Sequence, residues 1–201
     1  MLIYRVSIAA AFLLAATIAS AQYPVTTPPA ANTPPAQPAA PPPPPAEVDV
    51  GKIAPDFTID VADASGPIAK AVKLSDLRGK VVVLAFYPAD RSSGCTAELT
   101  KFRDEYATLF GEGTVVLPIS NDNIDTHASW AKDMKFPFAL GADTELTVAK
   151  QYGSWNQTRN NASRTVYVIG KDGKILWRNL KFPALNESAY TELASEVAKA
   201  R

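Results

Sequence analysis

Lys80-Val-Val-Val-Leu-Ala-Phe-Tyr87 is an almost unbroken apolar run opened by three valines. A strand with one wet face would alternate, so this run predicts a strand buried on both faces. Residues 115–119 predict a second buried strand. Residues 57–61 do alternate and predict a half-buried strand, with residues 62–67 as a turn and residues 71–74 as its partner. Residues 88–94 interrupt the pattern. Leu99, Phe102, Tyr106 and Leu109 then recur at helical spacing. Asp125 is placed to cap a helix reaching about Met134, and residues 144–152 predict a shorter one. Residues 165–169 and 174–178 flank Lys171-Asp172-Gly173, a hairpin with glycine at its turn. Residues 187–199 predict a closing helix. Strand–helix–strand units imply parallel pairing and the late hairpin adds antiparallel strands. The expected fold is α/β and thioredoxin-like: a mixed central sheet flanked by helices, with an N-terminal β-hairpin extension.

The N-terminal quarter obeys other rules. Met1-Leu-Ile-Tyr-Arg5 carries one positive charge, residues 6–20 are apolar or small, and Ala19-Ser20-Ala21 has the small residues of a cleavage site. Residues 1–21 therefore read as a signal peptide. The apolar run is shorter than the ~20 residues that span a bilayer comfortably, so no stable membrane insertion is expected after cleavage. Residues 22–47 hold eleven of the 17 prolines. They lack the large apolar residues that offset ordering entropy, and they predict a disordered, extended linker. The 154 residues of 48–201 form the domain, long enough to bury one good core. The expected location is the bacterial periplasm or the extracellular space.

Acidic and basic residues balance to a formal net charge of zero. Nothing electrostatic argues for a nucleic-acid partner. One cysteine and one histidine supply neither a dithiol cycle nor a metal site, and no cofactor is expected. In an oxidising compartment structural cysteines come in pairs. A lone Cys95 therefore suggests a free reactive thiol or an intermolecular bond, against the plainer reading of a buried, inert small hydrophobe. Cys95 follows Ser92-Ser93-Gly94 where a buried strand meets an amphipathic helix. Free N–H groups at such a helix start favour the thiolate, the nucleophilic form. His127 lies beyond the next strand. As a general base it would have to reach Cys95; a surface or capping residue is the preferred reading.

Phe86-Tyr-Pro-Ala-Asp-Arg-Ser-Ser-Gly-Cys-Thr96 resembles the active-site segment of the peroxiredoxins, closest to the bacterioferritin-comigratory (peroxiredoxin Q) branch. Glu98 and Phe102-Arg-Asp104 sit where that branch has them. Ser120-Asn-Asp122, Tyr152-Gly-Ser-Trp155 and Arg164-Thr-Val-Tyr-Val-Ile169 are similar to its later motifs. The resemblance spans nearly all of 48–201. It implies a thiol-dependent peroxidase acting on hydrogen peroxide or organic hydroperoxides. Cys95 would attack the peroxide and become a sulfenic acid. Arg164 would stabilise the thiolate and the charge that develops on oxygen. Ser92 would bind and orient the peroxide, and Pro88 would fix the loop and shield the sulfur. Glu98 would position Arg164 or Arg103.

Three departures matter. Ser92 replaces the family's threonine, Ser93 replaces its usual proline, and Thr100 stands where many members of the branch carry a second cysteine. Resolution must therefore come from an external thiol, of thioredoxin, glutaredoxin or low-molecular-weight type, in a one-cysteine cycle. Absence of an internal resolving cysteine leaves an alternative open: an exported peroxide sensor or thiol-binding module that forms mixed disulfides without steady turnover. A monomer or homodimer is expected.

Overall fold

The computed structural model describes residues 48–201. The expected signal peptide and linker, residues 1–47, lie outside the described residues. The run of valines becomes β4 (Val81–Phe86), in which every residue is buried. Its side chains alternate between two cores. Val81, Val83 and Ala85 face Leu99, Phe102, Trp130 and Leu193. Val82, Leu84 and Phe86 face Phe57, Ile59, Ala149 and Tyr152. Both faces are covered, so neither needs a polar residue, which is why the sequence does not alternate here.

Around β4 the other elements are β1 (Thr58–Asp63), β2 (Gly66–Pro67), β3 (Val72–Lys73), α1 (Ser93–Asp104), α2 (Tyr106–Phe110), β5 (Thr114–Ser120) and α3 (Ile124–Met134). They are followed by β6 (Leu140–Ala142), α4 (Thr147–Gln151), β7 (Trp155–Asn156), β8 (Asn161–Ala162), β9 (Thr165–Ile169), β10 (Ile175–Asn179) and α5 (Glu187–Ala200). The sheet order is β10-β9-β4-β5-β6-β1-β2, with β3 also on β1. β4, β5 and β6 are parallel. β9 is antiparallel to β4, β10 to β9, and β1 to β6. The expected mixed sheet with helices on its faces is present, and β6 joins the N-terminal hairpin to it.

Three local expectations need correction. The stretch that reads as one helix from Leu99 to Leu109 is two, broken at Glu105, whose φ of −111° leaves the helical region. The cap of α3 is Asn123, whose side chain accepts from Thr126 N at 2.9 Å. Asp125 lies exposed in the first turn, where its charge still suits the helix dipole. The helix expected over 144–152 is only α4, because Leu146 takes a left-handed φ of 56°. Asp143 instead caps that helix, accepting from Val148 N at 3.1 Å and Ala149 N at 2.7 Å. The three-residue β6 has no periodicity of its own to read.

Candidate active site

Topology brings the site together. β9 runs antiparallel to β4 with Thr165 opposite Phe86. The residue before β9 therefore lies beside the end of β4, where the chain leaves the sheet for α1. That residue is Arg164, and Cys95 is the third residue of α1. Arg164 Nη2 donates to Cys95 Sγ at 3.3 Å, across 69 positions of sequence. Cys95 is fully buried, as the inert reading required. A guanidinium aimed at its sulfur is what that reading does not accommodate.

The segment Tyr152-Gly-Ser-Trp155 holds Arg164 from behind. Ser154, fully buried, accepts from Ser163 N through its carbonyl at 2.5 Å. Its hydroxyl bonds the Thr165 hydroxyl. Both neighbours of Arg164 are thereby fixed. On the other side, the Arg164 carbonyl accepts from Phe182 N at 3.1 Å.

Glu98 is one turn beyond Cys95 and also fully buried. Arg164 Nη1 donates to Glu98 Oε2. Of the two arginines considered for this acid, Arg164 is the partner; Arg103 bonds Asp104 and the Met134 carbonyl instead. The second oxygen, Glu98 Oε1, is buried with no hydrogen-bond partner among the described residues. Half the carboxylate has lost water without a replacement donor, and this decides its titration. Burial raises the Glu98 pKa from 4.5 to about 7, outweighing the Arg164 guanidinium that pulls it down. Arg164 itself is held above its ordinary value: burial opposes its charge, but Glu98 and Cys95 more than offset that.

A stability prediction follows from the sign of the Glu98 shift. Between pH 4.5 and about 7 the folded protein holds a proton that the unfolded chain has lost. Stability therefore falls as pH rises through that window. Glu98→Gln, which stays neutral, should flatten the fall. Urea unfolding of both proteins at pH 5 and pH 7.5 checks this; an equal pH response in the two would contradict it.

Ser92 occupies the N-cap of α1, but its side chain does not cap the helix. Its hydroxyl donates to the Ala89 carbonyl at 3.1 Å. The proton is committed, and the oxygen lone pairs remain available to accept. Pro88 is half-buried and directly follows Tyr87, whose N–H still donates to the Ile119 carbonyl at 3.0 Å. Pro88 thus marks the point where the chain leaves the sheet.

His127 corrects the sequence reading. It is neither a surface residue nor a cap but fully buried. Its ring reaches the loop before Cys95 and the Gly141 carbonyl rather than the sulfur: Nδ1 lies 2.9 Å from Asp90 Oδ2 and Nε2 3.1 Å from Gly141 O. A usable signal was present, since His127, Trp130, Ala131 and Met134 fall on one helical stripe. Glu98 lies on the corresponding stripe of α1 with Cys95, Leu99 and Phe102. Asp122, named only as part of a motif, accepts from Asp90 N at 2.8 Å.

A cavity of about 440 Å³ opens beside Arg164, lined also by Gly94, Pro183, Ala184, Leu185 and Asn186. A larger one of about 690 Å³, between β1 and α4, shares no residue with this site. Among the described residues no group of three or more His, Cys, Asp or Glu side chains could hold a metal ion.

The AhpC/TSA family profile matches residues 50–178. The chain belongs to the AhpC/TSA family. Within it, the relatives are peroxiredoxins. A putative peroxiredoxin Bcp of Coxiella burnetii is 35% identical over 142 residues, which is 67% of this chain and 91% of that one. The peroxiredoxin Bcp of Bacillus subtilis is 31% identical over 142 residues, covering 67% of this chain and 87% of its own. Among solved structures, that of the Mycobacterium tuberculosis peroxidoxin BcpB aligns with a TM-score of 0.65 at 27% identity, over 76% of this chain and 97% of that one. This AhpC/TSA member is thus a peroxiredoxin of the Bcp and peroxiredoxin Q kind, a thiol-dependent peroxidase with a single cysteine.

Proposed function

We propose that the protein reduces peroxides through a sulfenic acid at Cys95, which an external thiol then resolves. The observation that carries this reading is the 3.3 Å contact from Arg164 Nη2 to Cys95 Sγ at the start of α1. In the first step the Cys95 thiolate attacks one peroxide oxygen. The S–O bond forms as the O–O bond breaks, and the leaving hydroxide or alkoxide takes a proton from water. Cys95 is oxidised to the sulfenic acid and the peroxide is reduced to water or an alcohol. Arg164 stabilises both the ionised sulfur and the oxygen charge that grows as the O–O bond lengthens. Ser92 Oγ accepts a hydrogen bond from the peroxide and orients it in line, while Pro88 keeps water from the sulfur.

In the second step an external thiol attacks the sulfenic sulfur. Water leaves and a mixed disulfide remains, which a second thiol reduces. The chain has no other cysteine to do this. The cavity bounded by Arg164, Pro183 and Leu185 is the proposed approach. Glu98 fixes Arg164 in the orientation that reaches the sulfur. We place the enzyme outside the cytoplasm on the strength of residues 1–21, with residues 22–47 as a spacer.

The single cysteine also favours a second reading, a sensor that is oxidised once and passed to a partner. The two differ in turnover. Given excess peroxide and dithiothreitol, the purified protein should consume many equivalents of peroxide per Cys95. Consumption that stops at one equivalent, with the dithiol present, would support the sensor instead.

A further inference from the structure

The loop before Cys95 is held from outside by groups that never touch the sulfur. Residues 88–92 carry both Pro88 and Ser92. Within this loop Arg91 takes a left-handed φ of 59°, a conformation that costs a non-glycine residue about 1 kcal/mol and persists only where neighbours impose it. Three such neighbours are visible. Asp90 N donates to Asp122 Oδ2 at 2.8 Å, and Asp122 is itself held by Ser120 Oγ at 2.7 Å. Arg91 Nη2 reaches Asp133 Oδ2 at 2.6 Å and Ser129 Oγ at 3.1 Å on α3. The third is His127, also on α3, against the Asp90 side chain.

The last contact is buried and its protons can be counted. The side chains of His127 and Asp90 are 0% and 2% exposed. His127 Nε2 lies 3.1 Å from the Gly141 carbonyl oxygen, which only accepts, so Nε2 carries a hydrogen. Nδ1 lies 2.9 Å from Asp90 Oδ2. Two bare lone pairs at that distance would repel, so one proton lies between them. Tyr87 OH donates to the other Asp90 oxygen at 2.7 Å. Burial first, and then the Asp90 charge, push the Tyr87 phenol well above its ordinary value and keep it a donor. Tyr87 and His127 between them hold both oxygens of Asp90.

We propose that the Asp90–His127 pair is a positioning device that holds the 88–92 loop in register for the reaction at Cys95. The proposal rests on the peroxidase reading only for its kinetic consequence. His127 acts through Asp90 and not on the substrate. It explains why a helix two elements away from the cysteine presents its only histidine inward.

His127 is the sole histidine in the chain, so its ring ¹⁵N resonances are unambiguous. Nε2 should report a bound hydrogen, as the Gly141 carbonyl requires; a bare Nε2 would overturn the ring assignment. Hydrogen exchange supplies the reading that needs no peroxide. His127→Ala and Asp90→Ala should each lower protection of the backbone amide at position 90, relative to its intrinsic exchange rate, by about tenfold or more while the β4 amides stay protected. Unchanged protection at position 90 would overturn the proposal. In kinetics, each should slow sulfenic acid formation by roughly ten- to a hundredfold, the cost of a small misplacement, and the double variant should be no slower than either single one. Rates within twofold of wild type would overturn it.

Asp90→Asn keeps the shape, because its amide donates to Nδ1 and its carbonyl accepts from Tyr87. It should fold and retain a rate near wild type. A rate as low as that of Asp90→Ala would show that charge, and not position, matters, and would sink the idea. Wild-type protein that ignores peroxide would remove the peroxidase reading alone, since the ring and exchange measurements would still decide the placement of the loop.

Discussion

Cys95→Ser should abolish peroxide consumption, leaving only the uncatalysed background. The chain has no second thiol to stand in for it, and a hydroxyl in the same place is not ionised near neutral pH. The substitution is nearly isosteric, so the buried site should hold and the fold should survive. The variant therefore separates chemistry from packing. Peroxide loss and circular dichroism, measured on one preparation, check it. Residual turnover above about one per cent in a folded Cys95→Ser protein would mean that the oxidised group lies elsewhere. If the sulfur were only a small core hydrophobe, the variant would differ in stability and in nothing else.

The second large effect belongs to Arg164. Arg164→Ala should slow the oxidation of Cys95 by about a hundredfold or more, as expected for removing one preorganised donor from a site of developing charge. The loss has two sources that act together. The sulfur forfeits the charged hydrogen-bond donor that Arg164 supplies, and Glu98 is left buried without that guanidinium. Without the guanidinium Glu98 holds its proton to higher pH, so the second source predicts a companion loss of stability that grows as pH rises above neutrality. Arg164→Lys is the sharper control. An ammonium has one nitrogen, while Arg164 uses two, Nη1 for Glu98 and Nη2 for Cys95. Lysine should therefore recover only part of the rate. Near-normal oxidation kinetics in Arg164→Ala would make that residue structural. Saturation behaviour adds a check, since an interaction made chiefly in the transition state lowers the limiting rate more than it weakens binding.

Much of this arrangement is legible before any coordinates. The apolar run through β4 has one physical reading, because only burial on both faces tolerates it. The break at 88–94 and the helical period from Leu99 place Cys95 at a helix start. What the pattern cannot supply is register. That Arg164 lies beside Cys95 follows from β9 running antiparallel to β4 with Thr165 opposite Phe86, and hydrophobic periodicity carries no information about partner or direction. Only the resemblance to the peroxiredoxins links those two residues in advance.

The errors are equally specific. Asp125 and Asn123 are both good capping residues, and the choice between them depends on which backbone N–H groups are left free. Glu105 breaks the α1–α2 run although nothing in its type forbids a helix. The expectation of a surface or capping His127 rests on its place beyond the next strand. Its place on the stripe with Trp130 and Ala131 points inward, but a buried histidine needs hydrogen-bond partners for its ring nitrogens. Those partners, Asp90 and Gly141, come from a loop and a strand that periodicity does not place. The unpartnered Glu98 Oε1 is likewise a fact of packing that no motif contains.

Stopped-flow mixing of the reduced protein with hydrogen peroxide, followed by quenching and mass detection on the Cys95 peptide, tests the central claim most directly. The account predicts oxidation far faster than that of free cysteine at the same pH, with a gain of one oxygen atom at Cys95 appearing at the same rate. A native thiol that oxidises no faster than free cysteine, or oxygen gained first at another residue, would contradict it.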